Sequence, residues 1–227
     1  MPVRHTDAPA GQFVAVSAGD LHTCGLRADG TIECWGVDID YDADTDYGDR
    51  EGRYAPEGQF AAVTVGSLHA CGLRADGTIE CWGDSGPGRT EPPEGQFIAV
   101  SAGLDHACGL RADGTVECWG SNTHGQADPP DGRFLAVTAG SRHSCGLRID
   151  QTIGCWGDNG QGRSEPPAGR FISVDAGDFH ACGLRIDGAV SCWGQKPDVA
   201  GGNHTCGLRS DRTLACWGSN THGQADP

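Results

Sequence analysis

With 227 residues, 37 glycines, 12 prolines and 12 cysteines, the chain excludes a helical protein, since no window of ten or more residues carries a 3.6-residue apolar period. Its 31 acidic residues against 16 basic ones leave a net charge of −15, and Lys196 is the single lysine. Nucleic acid is excluded as a partner, because that affinity comes from Lys and Arg neutralising phosphates. No stretch approaches the roughly 20 apolar residues that span a bilayer, so no membrane is expected either.

The first predicted element opens a unit, GQFVAVSAGDLHTCGLRADGTIECWG over residues 11–36, that recurs at 58–83, 95–120, 132–157, 169–194 and, shortened, 200–218. All six are assigned to one domain spanning residues 1–227. Each unit predicts three short strands, here 13–17, 22–27 and 31–36. Ala-Asp-Gly between the second and third predicts a three-residue hairpin loop whose last position is left-handed. Glycine fills that position at Gly30, Gly77, Gly114 and Gly188, whereas Gln151 and Arg212 stand there in units four and six and are expected to cost about 1–2 kcal/mol.

That loop pairs Arg27 with Thr31 and so sets Cys24 opposite Cys34, at the separation of about 4.5–5.5 Å that a disulfide accepts. Six bridges are predicted: Cys24–Cys34, Cys71–Cys81, Cys108–Cys118, Cys145–Cys155, Cys182–Cys192 and Cys206–Cys216. Disulfides persist in oxidising compartments, so an extracellular or periplasmic location is expected, although the opening Met1-Pro2-Val3-Arg4-His5 lacks the apolar core of a secretion signal. Alternation places His22, Cys24, Leu26, Ile32 and Cys34 on one face, and Thr23, Gly25, Glu33 and Trp35 on the other. Both faces carry apolar bulk. A sheet buried on both sides must be sandwiched between copies of itself, as the blades of a β-propeller are.

Between the first two units lies the one long departure from the repeat, VDIDYDADTDYGDREGRYAPE over residues 37–57. It holds all three tyrosines of the chain, Tyr41, Tyr47 and Tyr54, among Asp38, Asp40, Asp42, Asp44, Asp46 and Asp49. Tyrosine offers large contact area at low entropic cost, so Tyr41, Tyr47, Tyr54, Asp42 and Asp44 are the candidate binding residues for a basic protein partner. The alternation of Asp42, Asp44 and Asp46 also imitates a calcium loop, but Gly48 comes one place late and Arg53 occupies the position of the bidentate glutamate. Calcium is the single cofactor this pattern suggests.

Connectors of two types follow the later units, 84–93 and 158–167 on one hand, 121–130 and 219–227 on the other, each ending in proline. Residues 219–227 repeat 121–129 letter for letter, and the earlier copy continues into Pro130-Asp131-Gly132 much as the chain begins at Pro9-Ala10-Gly11. The two ends are therefore expected to meet and close a ring without an open edge strand.

Every unit has His-x-Cys with a second cysteine ten positions on, from His22 and Cys24 to His204 and Cys206. Structural zinc uses two short Cys or His pairs, so these histidines are read as buried strand residues bonded to backbone within the blade. Arg27-x-Asp29 and its copies flank turns. No unit has a nucleophile, base or phosphate loop of its own, so catalysis is not expected.

The elements AG-x-x-H, D-G-T, C-W-G and, after unit three, W-G-S-N-T-H-G-Q resemble the repeat of the regulator of chromosome condensation family. Blades of this length are also similar to those of the bacterial β-lactamase-inhibitory propeller, which has three strands per blade. The resemblance implies a rigid disc whose loops contact another protein. Relatives of this kind have seven blades, whereas six units are counted here. The resulting expectation is an all-β, closed β-propeller of six three-stranded blades with one disulfide each, a non-catalytic, monomeric and secreted binding scaffold. The resemblance offers two alternatives, an inhibitor of a secreted enzyme and a guanine-nucleotide-exchange-like regulator, and the scaffold alone offers a third, an inert module of a larger surface protein.

Overall fold

The computed structural model describes residues 8–36 and 55–195, and beyond them the backbone of two strands, His204–Leu208 and Leu214–Gly218. Five three-stranded antiparallel sheets follow one another along the chain. Blade one comprises Ala15–Ala18, His22–Leu26 and Ile32–Gly36, and blade two Phe60–Val65, His69–Arg74 and Ile79–Gly83. Blade three is Ala99–Ala102, His106–Leu110 and Val116–Gly120; blade four Phe134–Ala139, His143–Arg148 and Ile153–Gly157; blade five Phe171–Ala176, His180–Arg185 and Val190–Gly194. One 3-10 turn, Gly160–Gly162, is the only helical element among the described residues.

The hairpins form as their loop chemistry requires. Arg27 N donates to Thr31 O at 2.9 Å, and Asp29 Oδ1 accepts from both the backbone N and the hydroxyl of Thr31. Gly30 has φ +86°, and Gln151 adopts the same left-handed conformation at φ +70°. From that register Cys24 falls on a pair without hydrogen bonds, the narrow kind of antiparallel pair. The Cα atoms of all five described bridges lie 4.0 Å apart, below the expected spacing.

Of unit six the described residues include two strands, and the stretch where its first strand is expected lies outside the described residues. Its two strands keep the register of the others, with Cys206 opposite Cys216.

Blades pack disulfide face against tryptophan face. Cys24, Ile32 and Cys34 of blade one meet Val63, Val65, Ala70 and Trp82 of blade two, and Cys145, Leu147 and Ile153 of blade four meet Phe171, Ala181 and Trp193 of blade five. Hydrogen bonds repeat across each seam. Ser17, Thr64, Ser101 and Thr138 hydroxyls accept from the backbone N of Val65, Ala102, Ala139 and Ala176 at 3.0–3.1 Å. The turn residues Gly30, Gly77, Gly114 and Gln151 offer their carbonyls to the backbone N of Phe60, Phe97, Phe134 and Phe171. These bonds satisfy backbone groups that would otherwise be orphaned at strand ends.

Candidate functional site

Where each first strand ends, the Gly-x-x-His turns of the five blades converge on a cavity of about 270 Å³. Each turn is closed by a bond from the glycine N to the histidine O, 2.8–2.9 Å in all five. Glycine is needed here for approach between blades. A Cβ on Gly19, Gly66, Gly103 or Gly140 would lie 1.8–2.4 Å from the carbonyl oxygen of the next blade's glycine.

The residue after each glycine sets the chemistry of the cavity: Asp20, Ser67 and Leu104 line it from blades one to three, and Asp178 with His180 from blade five. Burial raises the Asp178 carboxyl above its usual range, the nearby charge of Asp20 raises it further, and His180 opposes both. Two carboxylates, from the first and fifth blades, thus share one small, polar space that favours cations and hydrogen-bond donors. Among the described residues no group of three or more His, Cys, Asp or Glu side chains is placed to hold a metal ion.

Five histidines back this cavity, all buried. The rings of His69, His106 and His143 lie against the turn glycine of their own blade, with Cε1 2.5–2.6 Å from where a Cβ would be. Burial pushes them down, His69 and His143 to about 4 and His106 to about 3. Among the described residues no backbone bond within the blade holds His69, His106 or His143. His106 Nε2 meets Ser144 Oγ of blade four at 2.7 Å, and the Ser67 backbone of blade two offsets part of the downward pull that burial exerts on His22. Neither ring nitrogen of His69 or His143 has a partner among the described residues. Crowding at the seam sets the ring positions, a tertiary effect that the strand pattern does not carry. The adjoining cysteines are disulfide-bonded, so no thiolate stands beside these imidazoles.

The connectors do more than reverse the chain. Carbonyls of Arg89, Gln126 and Arg163 accept from the indole N of Trp119, Trp156 and Trp193, each in the following blade, at 2.9–3.1 Å. The insertion precedes blade two, and Trp82 Nε1 has no partner among the described residues. Tyr41, Tyr47, Tyr54, Asp42, Asp44 and Asp46 lie outside the described residues.

Two features escaped sequence reasoning. The Asp20 and Asp178 pairing depends on how separate blades are arranged, and its one trace is the variation Asp, Ser, Leu, Ser, Asp after the turn glycine. The phenylalanine at or just before the start of each first strand lies over the glycine between Cys and Leu, as Phe60 does over Gly72, where it carries the Arg74 guanidinium 4.5 Å from its ring centroid.

Comparison with known proteins agrees with this architecture. The structure is similar to the CRINKLY WD40 ectodomain of the Arabidopsis thaliana receptor kinase ACR4, with 27% identity, a TM-score of 0.71, and 92% of this chain and 81% of that chain covered. It is similar as well to the entire ectodomain of the Physcomitrella patens receptor kinase CR4, with 29% identity, a TM-score of 0.71, and 93% of this chain and 62% of that one. Prp20p from Saccharomyces cerevisiae shares the fold at 17% identity, a TM-score of 0.65, and 81% and 57% coverage. No curated protein matches the sequence. The family model of the regulator of chromosome condensation (RCC1) repeat matches residues 13–38, 60–88, 97–126, 134–163, 171–195 and 199–224, so the chain belongs to that repeat family and is a β-propeller of its kind.

Proposed function

We propose that the chain is a non-catalytic recognition module, acting as a monomer in an oxidising, extracellular setting, and that its partner is a protein. One observation carries this reading: the histidines and turn aspartates that recur from unit to unit, and the arginines of blades one to three, are spent on the scaffold. The histidines fill seams, Arg27, Arg74 and Arg111 clamp Glu33, Glu80 and Glu117, and the turn aspartates cap their own hairpins. Chemistry available to a partner therefore resides in what is not repeated. Five disulfides support the compartment, and no helix among the described residues is long and apolar enough to cross a membrane.

The similar plant chains are ectodomains of receptor kinases, and Prp20 has been studied for its binding to Gsp1p and histones and crystallised with Kap60. A protein partner for this chain is in keeping with both. We assign the main contact to Tyr41, Tyr47 and Tyr54 with Asp42 and Asp44, facing a basic surface. The test is affinity capture from the native extracellular medium, comparing the wild type with the Tyr41→Ala, Tyr47→Ala, Tyr54→Ala triple variant. The variant should lose the captured protein while its melting temperature stays the same. Undiminished capture by the variant would overturn the assignment.

A further inference from the structure

Three positions of the repeat change together in blades four and five. Gln12, Gln59 and Gln96 give way to Arg133 and Arg170; Ala28, Ala75 and Ala112 to Ile149 and Ile186; Glu33, Glu80 and Glu117 to Gly154 and Ser191. The third change releases an arginine. In blade three Arg111 is held in a fork by Glu117, at 2.8 and 2.9 Å, with its guanidinium 4.2 Å from the Phe97 centroid. Arg148 and Arg185 have lost that carboxylate. They lie 4.9 and 5.3 Å from Phe134 and Phe171 and, among the described residues, bond the carbonyls of Asp131 and Ala168, at 3.1 and 3.3 Å, with Asp187 3.8 Å from Arg185.

Backbone bonds show that the altered positions form one surface. Ile149 N donates to Arg133 O at 3.1 Å, Phe171 N to Gln151 O at 2.8 Å, and Ile186 N to Arg170 O at 3.1 Å, stitching the hairpin tip of each blade to the strand starts beside it. Four large apolar side chains stand out there, Leu135 57%, Ile149 62%, Ile172 52% and Ile186 57% exposed. A contiguous apolar patch rimmed by polar groups is the signature of an interaction site.

We propose that this rim of blades four and five docks an extended segment of a partner protein in which carboxylates alternate with apolar side chains. Charge decides the chemistry. Blade two sets Arg74 against Glu57, Asp76 and Glu80 at the same rim, whereas blade five sets Arg170 and Arg185 against Asp187 alone. On a chain of net charge −15 an acidic segment is repelled almost everywhere else, so register and orientation are imposed as well as affinity. Arginine suits the task because its planar fork matches a carboxylate in two bonds. The carboxylates of Asp150 and Asp113 are occupied, Asp150 by Thr152 and Asp113 by Thr115 and Arg133. Of the rim carboxylates Asp131 and Asp187 remain, against Arg148, Arg170 and Arg185, so the balance left to meet the segment is positive.

This surface is distinct from the tyrosine insertion, and the two are tested separately. A labelled peptide of alternating glutamate and leucine, titrated with the full chain and followed by fluorescence anisotropy, should bind, and a lysine–leucine peptide should not. Arg148→Glu with Arg185→Glu should weaken binding by about tenfold or more. Arg170→Glu, at an exposed residue whose loss threatens no packing, should weaken it as well. The matched Gln12→Glu and Gln59→Glu changes, and the triple tyrosine variant, should bind like the wild type. The proposal is overturned if the arginine variants bind the peptide unchanged or if the lysine peptide binds equally. It is overturned too if the variants instead abolish self-association in sedimentation, or binding to phosphatidylserine vesicles, while the glutamate peptide stays unbound.

Discussion

A methyl group at Gly72 would sit 2.4 Å from Cδ1 of Phe60, and the same contact recurs at Gly25, Gly109, Gly146 and Gly183. Gly72→Ala therefore overpacks a buried ring and should cost about 1–3 kcal/mol in a denaturant titration. Gln151 offers the opposite case. It holds the left-handed turn position at φ +70°, so Gln151→Gly should stabilise the protein by about 0.5–1 kcal/mol, the relieved strain less the added entropy of the unfolded glycine. The turn position was legible because loop length and residue type fix it locally. The phenylalanine was not. Phe60 pairs with Arg74 but Ala62 with Leu73, a bulge that turns the ring onto the glycine face, and a simple two-residue alternation cannot register the extra residue.

At the scale of one hairpin, the cysteine register followed from the turn alone, because counting back from Arg27 and Thr31 leaves no freedom. Each bridge closes a short loop, and the chain-entropy estimate for such a loop is about 3 kcal/mol. Cys108→Ala combined with Cys118→Ala should lower unfolding free energy by about that amount while circular dichroism retains the β signal. The first strand expected of unit six lies outside the described residues. What the deletion leaves between Gly194 and His204 is shorter than any other connector plus strand. The paired Asp20 and Asp178 belong to no single element, and so no local pattern announced them.

Across the whole molecule the seams share one weakness, a set of imidazoles kept neutral by burial. Unfolded histidines titrate near 6.5, whereas His69 and His143 are depressed to about 4 and His106 to about 3. Below pH 6.5 the unfolded chain takes up protons that the folded one refuses, so stability is full above that pH and falls as pH drops towards the folded values. The slope should reach at most about 1.4 kcal/mol per pH unit for each such histidine. A melting series from pH 7.5 to 4 should show this decline, and a flat profile would place charged, solvated histidines at the seams.

Stapled wedges stacked face to face, in a setting that keeps their sulfurs oxidised, are the premise beneath both the scaffold and the compartment. Counting free thiols in natively purified protein, unfolded without reductant, tests that premise most directly. Fewer than about one reactive thiol per chain is the predicted result. A count near the full 12 cysteines would contradict it.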